Sequence, residues 1–579
     1  MIFSKLYSLV LLGSVATSSY VPYHASELVE RDIDNTGKAA DRPLIHATPD
    51  SGWMNDPNGL WYDAKEKLYH LYYQYNPNDM VWGFPLCWGH ATSEDLMLWK
   101  NHGVAISPAR NDSGVYSGSA VIDYNNTSGF FDDSVDPRQR VVAIWTYNTP
   151  ESETQYLSYS TDGGYTFQEY EHNPVVEFNS TQFRDPKVIW HEETQKWIMT
   201  VALCQQYSVF IYSSENLKDW TLESKFTDSG LLGFQYEAPG LAKIPVTKAT
   251  NNNYTLEDNS YDVKNNDTEY MWVLFLAINP GGPQGGSFNQ YFIGDFNGTT
   301  FTPFTHQTRM LDFGKDFYAF QGFFNSPDDS SYLGIAWTSN WQYSAYVPTY
   351  PWRSSMSLPR RFTIQQYSPT PESVQLNLNS VPVLNLAGDD KPSESRYALS
   401  NKALNSTANL TIPIEGTPTG TFEFTVTFAC NSTTVVNTQS ADLNFFLKGS
   451  KDQTEYLRLG HNAQAAAFFI DRGNTKVEFV HSNPFFTNRL SVNGEPWSQD
   501  GSYSIYKVQG IVDVNILELF FNEGSMASTN TFFLSPGNFI GNIEISSSVD
   551  GVYSILDFDL KELDVVDSKV TVETCGPSE

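Results

Sequence analysis

Short runs of β-branched and aromatic residues recur along the first two thirds of the chain, at 68–75, 141–147, 156–160, 187–190, 197–203, 209–213, 271–278 and 291–296. Gly, Asn, Asp and Pro separate them. Runs of this length and composition, bounded by turn formers, predict strands, and few stretches carry the 3.6-residue period of an amphipathic helix. Further on, 421–428, 441–447, 456–459, 477–480, 503–508 and 516–521 alternate in the manner of strands, which predicts a second β domain of the sandwich type. Residues 362–380 contain several Pro and Gln and read as a connection. The polar, Asn-rich stretch 247–267 reads as a surface loop.

A weak repeat refines the first part. Ser93-Glu94-Asp95-Leu96 precedes Trp99, Ser160-Thr161-Asp162-Gly163-Gly164 precedes Phe167, and Ser214-Glu215-Asn216-Leu217-Lys218-Asp219 precedes Trp220. Each copy follows a strand-like run, and the copies lie about 55–65 residues apart, the length of one four-stranded propeller blade. The predicted fold class is therefore all-β: a five-bladed β-propeller over 41–360, a linker over 361–385 and a C-terminal β-sandwich over 386–579.

Residues 1–19 place Lys5 before the apolar run 6–15 and the small residues Ala16 to Ser19. This is the pattern of a secretory signal peptide, too short to span a bilayer, and 20–40 is left as an N-terminal extension. No later segment is long enough to cross a membrane, so a soluble, secreted mature protein is expected. Ten Asn-x-Ser/Thr sites, at Asn111, Asn125, Asn126, Asn179, Asn253, Asn266, Asn297, Asn405, Asn409 and Asn431, agree with export and predict N-linked glycans. Lys and Arg total 35 against 66 Asp and Glu, a net charge of −31, which excludes nucleic acid and anionic membrane as partners. With charged residues at only 17% and aromatics at 15%, the acidity is not that of a disordered chain. The four cysteines, Cys87, Cys204, Cys430 and Cys575, show no metal-ligand spacing, and their pairing is open. No metal or organic cofactor is expected.

Three acidic residues stand in unusual settings. Asp56 lies in Trp53-Met54-Asn55-Asp56-Pro57-Asn58-Gly59, where Asp before Pro and a following Asn-Gly predict a tight turn. Asp185 lies in Arg184-Asp185-Pro186, and Glu237 in Gln235-Tyr236-Glu237-Ala238-Pro239-Gly240. Flanking Tyr and Ala are expected to desolvate Glu237, as a general acid requires. Each residue taken alone fits an ordinary turn. In a propeller, however, 129 residues between Asp56 and Asp185 and a further 52 to Glu237 put the three on different blades, around one axial pocket. Converging carboxylates on an aromatic, weakly charged protein fit glycoside hydrolysis, although spacing alone does not decide it.

The three motifs, in order, resemble the signature motifs of glycoside hydrolase family 32, which contains invertases, inulinases and fructanases. Supporting resemblance lies in Tyr72-Tyr73-Gln74-Tyr75-Asn76-Pro77, Trp88-Gly89-His90-Ala91, Tyr116-Ser117-Gly118-Ser119, Asp316-Phe317-Tyr318-Ala319 and the segment from Trp352 to Arg360. The resemblance implies a secreted retaining β-fructofuranosidase acting on sucrose and related fructosides. Asp56 would be the nucleophile, Glu237 the acid/base, and Asp185 a holder of fructose hydroxyls kept ionised by Arg184. Asn55, Gln74, Ser117 and Arg184 would bond the sugar. Trp82, Tyr116, Tyr318 and Trp337, or Trp341 in place of Trp337, would wall the pocket. His70 and His90 are assigned structural roles. The resemblance also implies that the sandwich could support a homodimer or higher homo-oligomer, as in some relatives. The family's third motif usually has Cys after the acid, where this chain has Ala238. Alternatives are an exo-inulinase or fructan hydrolase and, in another class, a fructan-binding lectin without catalysis.

Overall fold

The computed structural model describes residues 41–247, 270–370, 373–384, 397–414, 420–431, 433 and 440–563. The expected signal peptide, the extension 20–40, most of the polar insert and Cys575 lie outside these residues. Five antiparallel sheets follow one another along residues 52–382, the fourth and fifth joined edge to edge by the parallel pairing of Val246 and Thr247 with Ile364 and Gln365. Their first strands are Gly52–Asp63, Gly114–Ile122, Phe183–His191, Tyr236–Thr247 and Tyr318–Gly322. Each first strand touches the next, and the fifth touches the first, so the strands close a ring. Parallel pairing of Trp352–Arg353 with Gly52 and Trp53 ties the late chain back onto the first sheet. This is a β-propeller.

Burial grades outward from the ring. Gly52–Asp63 is buried almost throughout, whereas the outer strands Lys100–Ile106 and Thr221–Thr227 are largely exposed. Side chains also cross the channel. Lys187 Nζ donates to Gly322 O at 2.7 Å, and Gln321 Nε2 donates to Gly118 O at 3.1 Å. These bonds tie the third sheet to the fifth and the fifth to the second.

The sequence repeat has a structural cause. Ser93 Oγ accepts from Leu96 N at 2.8 Å, and Asp95 Oδ1 accepts from Met97 N and Leu98 N at 2.9 and 2.8 Å. Ser160 with Asp162 and Ser214 with Asn216 bond the following amides in the same way. Each motif is thus the turn between the third and fourth strands of a sheet, its orphan N–H groups met by a short polar side chain.

The C-terminal part packs a seven-stranded sheet against a six-stranded one, a β-sandwich. In Thr421–Cys430, Phe422, Phe424, Val426 and Phe428 alternate into the core with Phe445, Leu517, Ile543 and Phe558, as the two-residue period demands.

Two expectations are corrected. Most of the expected linker 361–385 is an antiparallel pair, Arg360–Thr370 with Ser373–Pro382, belonging to the propeller. Residues 477–480, expected as a strand, open the α-helix Val477–Ser482. Phe479 and Val480 are both buried while Val477 is exposed, which suits one helical turn and not strand alternation. Among the glycan acceptors, Asn126 bonds Phe131 through both amide atoms, leaving the exposed Asn125 free of the overlapping pair. Asn431 is buried, not on a surface loop.

The two domains meet through buried charge. His46 Nδ1 lies 2.7 Å from Asp513 Oδ2, and its Nε2 lies 3.2 Å from Glu518 Oε1, all three side chains being fully buried. Burial works against a charged imidazole, but the hydrogen bonds to Asp513 and Glu518 outweigh it and raise His46 to about 9. A folded-state value above the unfolded one stabilises the protein fully below about pH 6.5 and loses that contribution as pH rises through about 9. Melting temperature should therefore fall between pH 7 and 9.5, and His46→Gln should flatten that fall; an equal slope in the variant excludes His46 as the cause.

Candidate active site

On every first strand the ladder to the second strand slips, at Met54/Pro57, Tyr116/Gly118, Arg184/Lys187, Glu237/Gly240 and Tyr318/Gln321, and on the strand Gly52–Asp63 again at Asn58/Trp61. Such bulges bend a strand and re-aim the side chain that the ladder skips. Asp56, Ser117 and Asp185 stand inside the slips, and Glu237 and Tyr318 stand at their edges. The expected turns at Asp56 and Asp185 are thus corrected to bulges inside continuous strands. Pro57 and Pro186, which lack an N–H, fit where the ladder is interrupted. Gly59 is required by packing as well as by its φ of +51°, since a Cβ there would meet the Tyr72 ring at 2.7 Å. Asp185, Ala238 and Ala319 adopt φ of +64°, +43° and +51° at their bulges, backbone strain gathered at the site.

Around Asp56, Asn55 Nδ2 donates to Oδ1 at 2.9 Å and Ser117 Oγ donates to Oδ2 at 3.0 Å. Asn55 is itself held by Trp53 Nε1 at 2.7 Å. Burial pushes Asp56 up to about 6; the Asn55 bond opposes this, the Glu237 charge adds to it, and the Ser117 bond opposes it again.

Asp185 Oδ2 accepts the Ala238 N–H at 2.8 Å, and the Asp185 N–H donates to Thr146 Oγ1 at 3.1 Å. Burial raises Asp185 to about 8; Arg184 counters part of the rise, while Glu237 and Asp56 add to it. Arg184 favours the ionised form of Asp185 through its charge and not through a direct bond. The guanidinium turns its donors elsewhere, Nη2 to Glu237 Oε1 at 2.8 Å and Nη1 to Glu153 at 3.1 and 3.2 Å.

Glu237 Oε1 also accepts from Gln235 Nε2 at 2.9 Å, and Oε2 takes the Tyr318 hydroxyl. The sequence neighbours of Glu237 are not its environment. Tyr236 points away to bond Ser229 O, and Ala238 packs with Trp53, Tyr318 and Trp337. Position 238 reaches Asp185 through its backbone, a contact that Ala supplies as well as Cys.

The remaining expected contacts divide. Asn55, Gln74 and Ser117 are buried at the site, Gln74 donating to Val115 O at 3.0 Å. Trp82, Phe84 and Tyr116 form a partly exposed aromatic rim, with Trp82 and Tyr116 centroids 6.3 Å apart. Trp337 is wholly buried, so it backs the pocket and does not line it; Trp341, packed on it at 5.0 Å, is the partly exposed one. Tyr318 turns its hydroxyl to Glu237 and is otherwise buried. His70 and His90 lie in the first sheet, stacked on Trp61 at 4.2 Å and Tyr72 at 4.6 Å. Sequence reasoning missed Glu153, Gln182 and Gln235. The Gln235 signal was its place two residues before Glu237, but Glu153 sits in an ordinary polar run, Glu151-Ser152-Glu153-Thr154, with no local mark.

One cup therefore gathers carboxylates from three sheets, each within electrostatic reach of the others. The profile described as "Glycosyl hydrolases family 32 N-terminal domain" matches residues 46–374, and that described as "Glycosyl hydrolases family 32 C terminal" matches 390–564. The chain is 54% identical over 531 residues to invertase 2 of Saccharomyces cerevisiae, covering 91% of this chain and 96% of that one. It is 47% identical over 522 residues to an extracellular exo-inulinase of Meyerozyma guilliermondii, covering 90% and 95%. Among solved structures, the β-fructofuranosidase of Schwanniomyces occidentalis complexed with fructosyl-erythritol superposes with a TM-score of 0.82 at 43% identity, over 92% of this chain and 99% of that one.

Proposed function

Because the chain belongs to glycosyl hydrolase family 32, we propose from that membership and from the cup that it is a secreted, retaining β-fructofuranosidase of the invertase type. It releases terminal non-reducing β-D-fructofuranosyl units from sucrose and short fructooligosaccharides. The observation that carries this reading is the joining of three carboxylates by short polar links. Ser117 holds Asp56, the Ala238 amide holds Asp185, and Arg184, the neighbour of Asp185, holds Glu237.

Asp56 attacks the anomeric C2 and forms a covalent fructosyl-enzyme. The Asn55 and Ser117 bonds fix which carboxylate face meets the sugar, so little reorganisation remains at the moment of attack. Glu237 protonates the leaving oxygen and then deprotonates the incoming water. Tyr318 and Arg184 grip its two oxygens, which fixes its reach. Asp185 receives fructose hydroxyls; donors arriving at its oxygens favour the carboxylate that burial alone disfavours. Asn55, Gln74, Ser117 and Arg184 complete the sugar contacts, and Trp82, Tyr116 and Trp341 provide apolar faces at the rim. A sugar in place of water as acceptor gives fructosyl transfer.

Glu237→Gln keeps the shape and removes the proton. Turnover of sucrose should fall at least about 10³-fold with KM changed less than about fivefold; equal changes in kcat and binding would argue against an acid role. Side-by-side product analysis on sucrose, short fructans and inulin tests the substrate reading. Faster release from sucrose than from inulin supports the invertase, the reverse order supports an exo-inulinase, and binding without release supports a lectin.

A further inference from the structure

Arg184 poses a difficulty for the acid step. Its Nη2 stands 2.8 Å from Glu237 Oε1 as an ion-pair partner, yet the first half of the reaction needs a proton on that carboxyl. A second carboxylate stands on the other edge of the same guanidinium. Glu153 opens the strand Glu153–Ser160 of the second sheet. Its two oxygens accept from Arg184 Nη1 at 3.2 and 3.1 Å, and Oε1 also accepts from Asn148 Nδ2 at 3.3 Å. The Glu153 side chain is 3% exposed against 14% for Glu237, so it lies behind the cup.

We propose that Glu153 is a positioning residue for the acid step: by sharing Arg184 with Glu237, it keeps the guanidinium from drawing off the proton that Glu237 must deliver. The inference rests on the reading of Glu237 as the acid. With Glu153 ionised, the Arg184 charge is balanced whether Glu237 is protonated or not. Without it, Glu237 becomes the main counter-ion of a buried cation, and ionising it is the cheapest way to balance that charge. Burial raises Glu153 above the ordinary carboxylate range while Arg184 pulls it back, so the two depend on each other for their charge. The other titratable groups facing this pair are Asp185 on the Arg184 strand, Asp56 on the first sheet, Cys204 after the strand Lys196–Leu203, Tyr116 on the second sheet and Tyr318 on the fifth. Gln182 Oε1, at 3.2 Å from Arg184 Nη1, is neutral and cannot replace the charge.

The test is the pH profile of kcat/KM for Glu153→Gln on sucrose and on β-fructofuranosyl fluoride, whose leaving group needs little protonation. On sucrose the alkaline limb should move to lower pH by about one unit, a loss of about tenfold above the limb. The acid limb should move less, and kcat/KM on the fluoride at the pH of the wild-type optimum should change less than about threefold. Glu153→Asp keeps the charge and should shift the limb less than Glu153→Gln. An unmoved alkaline limb, or equal losses on the two substrates, overturns the proposal in favour of a merely structural clamp. If Glu153→Gln does not fold, Glu153→Asp decides alone, since its shorter reach should still displace the limb towards lower pH. The acid assignment itself fails in a different experiment, when Glu237→Gln loses as much kcat/KM on the fluoride as on sucrose.

Discussion

Asp56→Ala should lower kcat/KM for sucrose by at least about 10⁴-fold, in keeping with the loss of a covalent nucleophile, and leave the protein folded. The size of the effect follows from the absence of a substitute. Asp185 is engaged by the Ala238 amide, and Glu237 is held by Arg184, Gln235 and Tyr318. Neither can swing to C2 without breaking these bonds. Folding should not suffer, because Asp56 is a half-buried residue whose carboxyl desolvation has already lifted to about 6. Removing it takes away a desolvated charge and leaves Asn55 still anchored on Trp53. The measurements are steady-state hydrolysis and thermal melting on the same preparation. Activity within about tenfold of wild type would remove Asp56 from the nucleophile role, and a melting temperature lowered by many degrees would make any activity loss uninformative.

Arg360→Met should produce the largest loss of stability in this set, about 3–5 kcal/mol, seen as a melting temperature lower by about 2–4 °C. Arg360 has no exposed surface. Its guanidinium bonds Asp312 Oδ2 at 2.8 Å and Glu518 Oε2 at 2.8 and 3.2 Å, contacts Thr529 Oγ1, and lies 4.3 Å from the Phe317 ring centroid. Asp312 and Phe317 belong to the propeller, Glu518 and Thr529 to the sandwich. A methionine fills much of the space but leaves two buried carboxylates without their cation, which costs more than the pair was worth when formed. His46 remains on Glu518 and offsets part of that charge below about pH 9, so the loss should deepen at alkaline pH. The catalytic cup contains none of these residues, and kcat at 25 °C should stay within about threefold of wild type. An unchanged melting temperature would show that this ion network does not hold the domains together.

These two residues were visible in the sequence to very different degrees. Asp56 sits in a seven-residue motif whose chemistry could be named before any fold was known. Arg360 sits at the end of an equally recognisable segment, yet nothing local indicated that its partners lie 48 residues before it and 158 residues after it. The Ser-x-Asp and Ser-x-Asn turns were legible because their bonds close within a few residues. Glu153 was not, because its partner comes from the neighbouring sheet.

The sequence alone determined the all-β class of a propeller with a sandwich and singled out the three acids that the structure brings into one cup. Alternation, turn residues and motif identity act over a few residues and survive without a fold. Only the tertiary structure decided that the acids stand on bulges and not turns, that Arg184 serves Glu153 and Glu237 ahead of Asp185, and that Trp337 supports the pocket while Trp341 is the partly exposed tryptophan beside it. Direction of a side chain, burial of a charge and choice of counter-ion depend on which distant strands the ring brings together, and no local pattern carries that information.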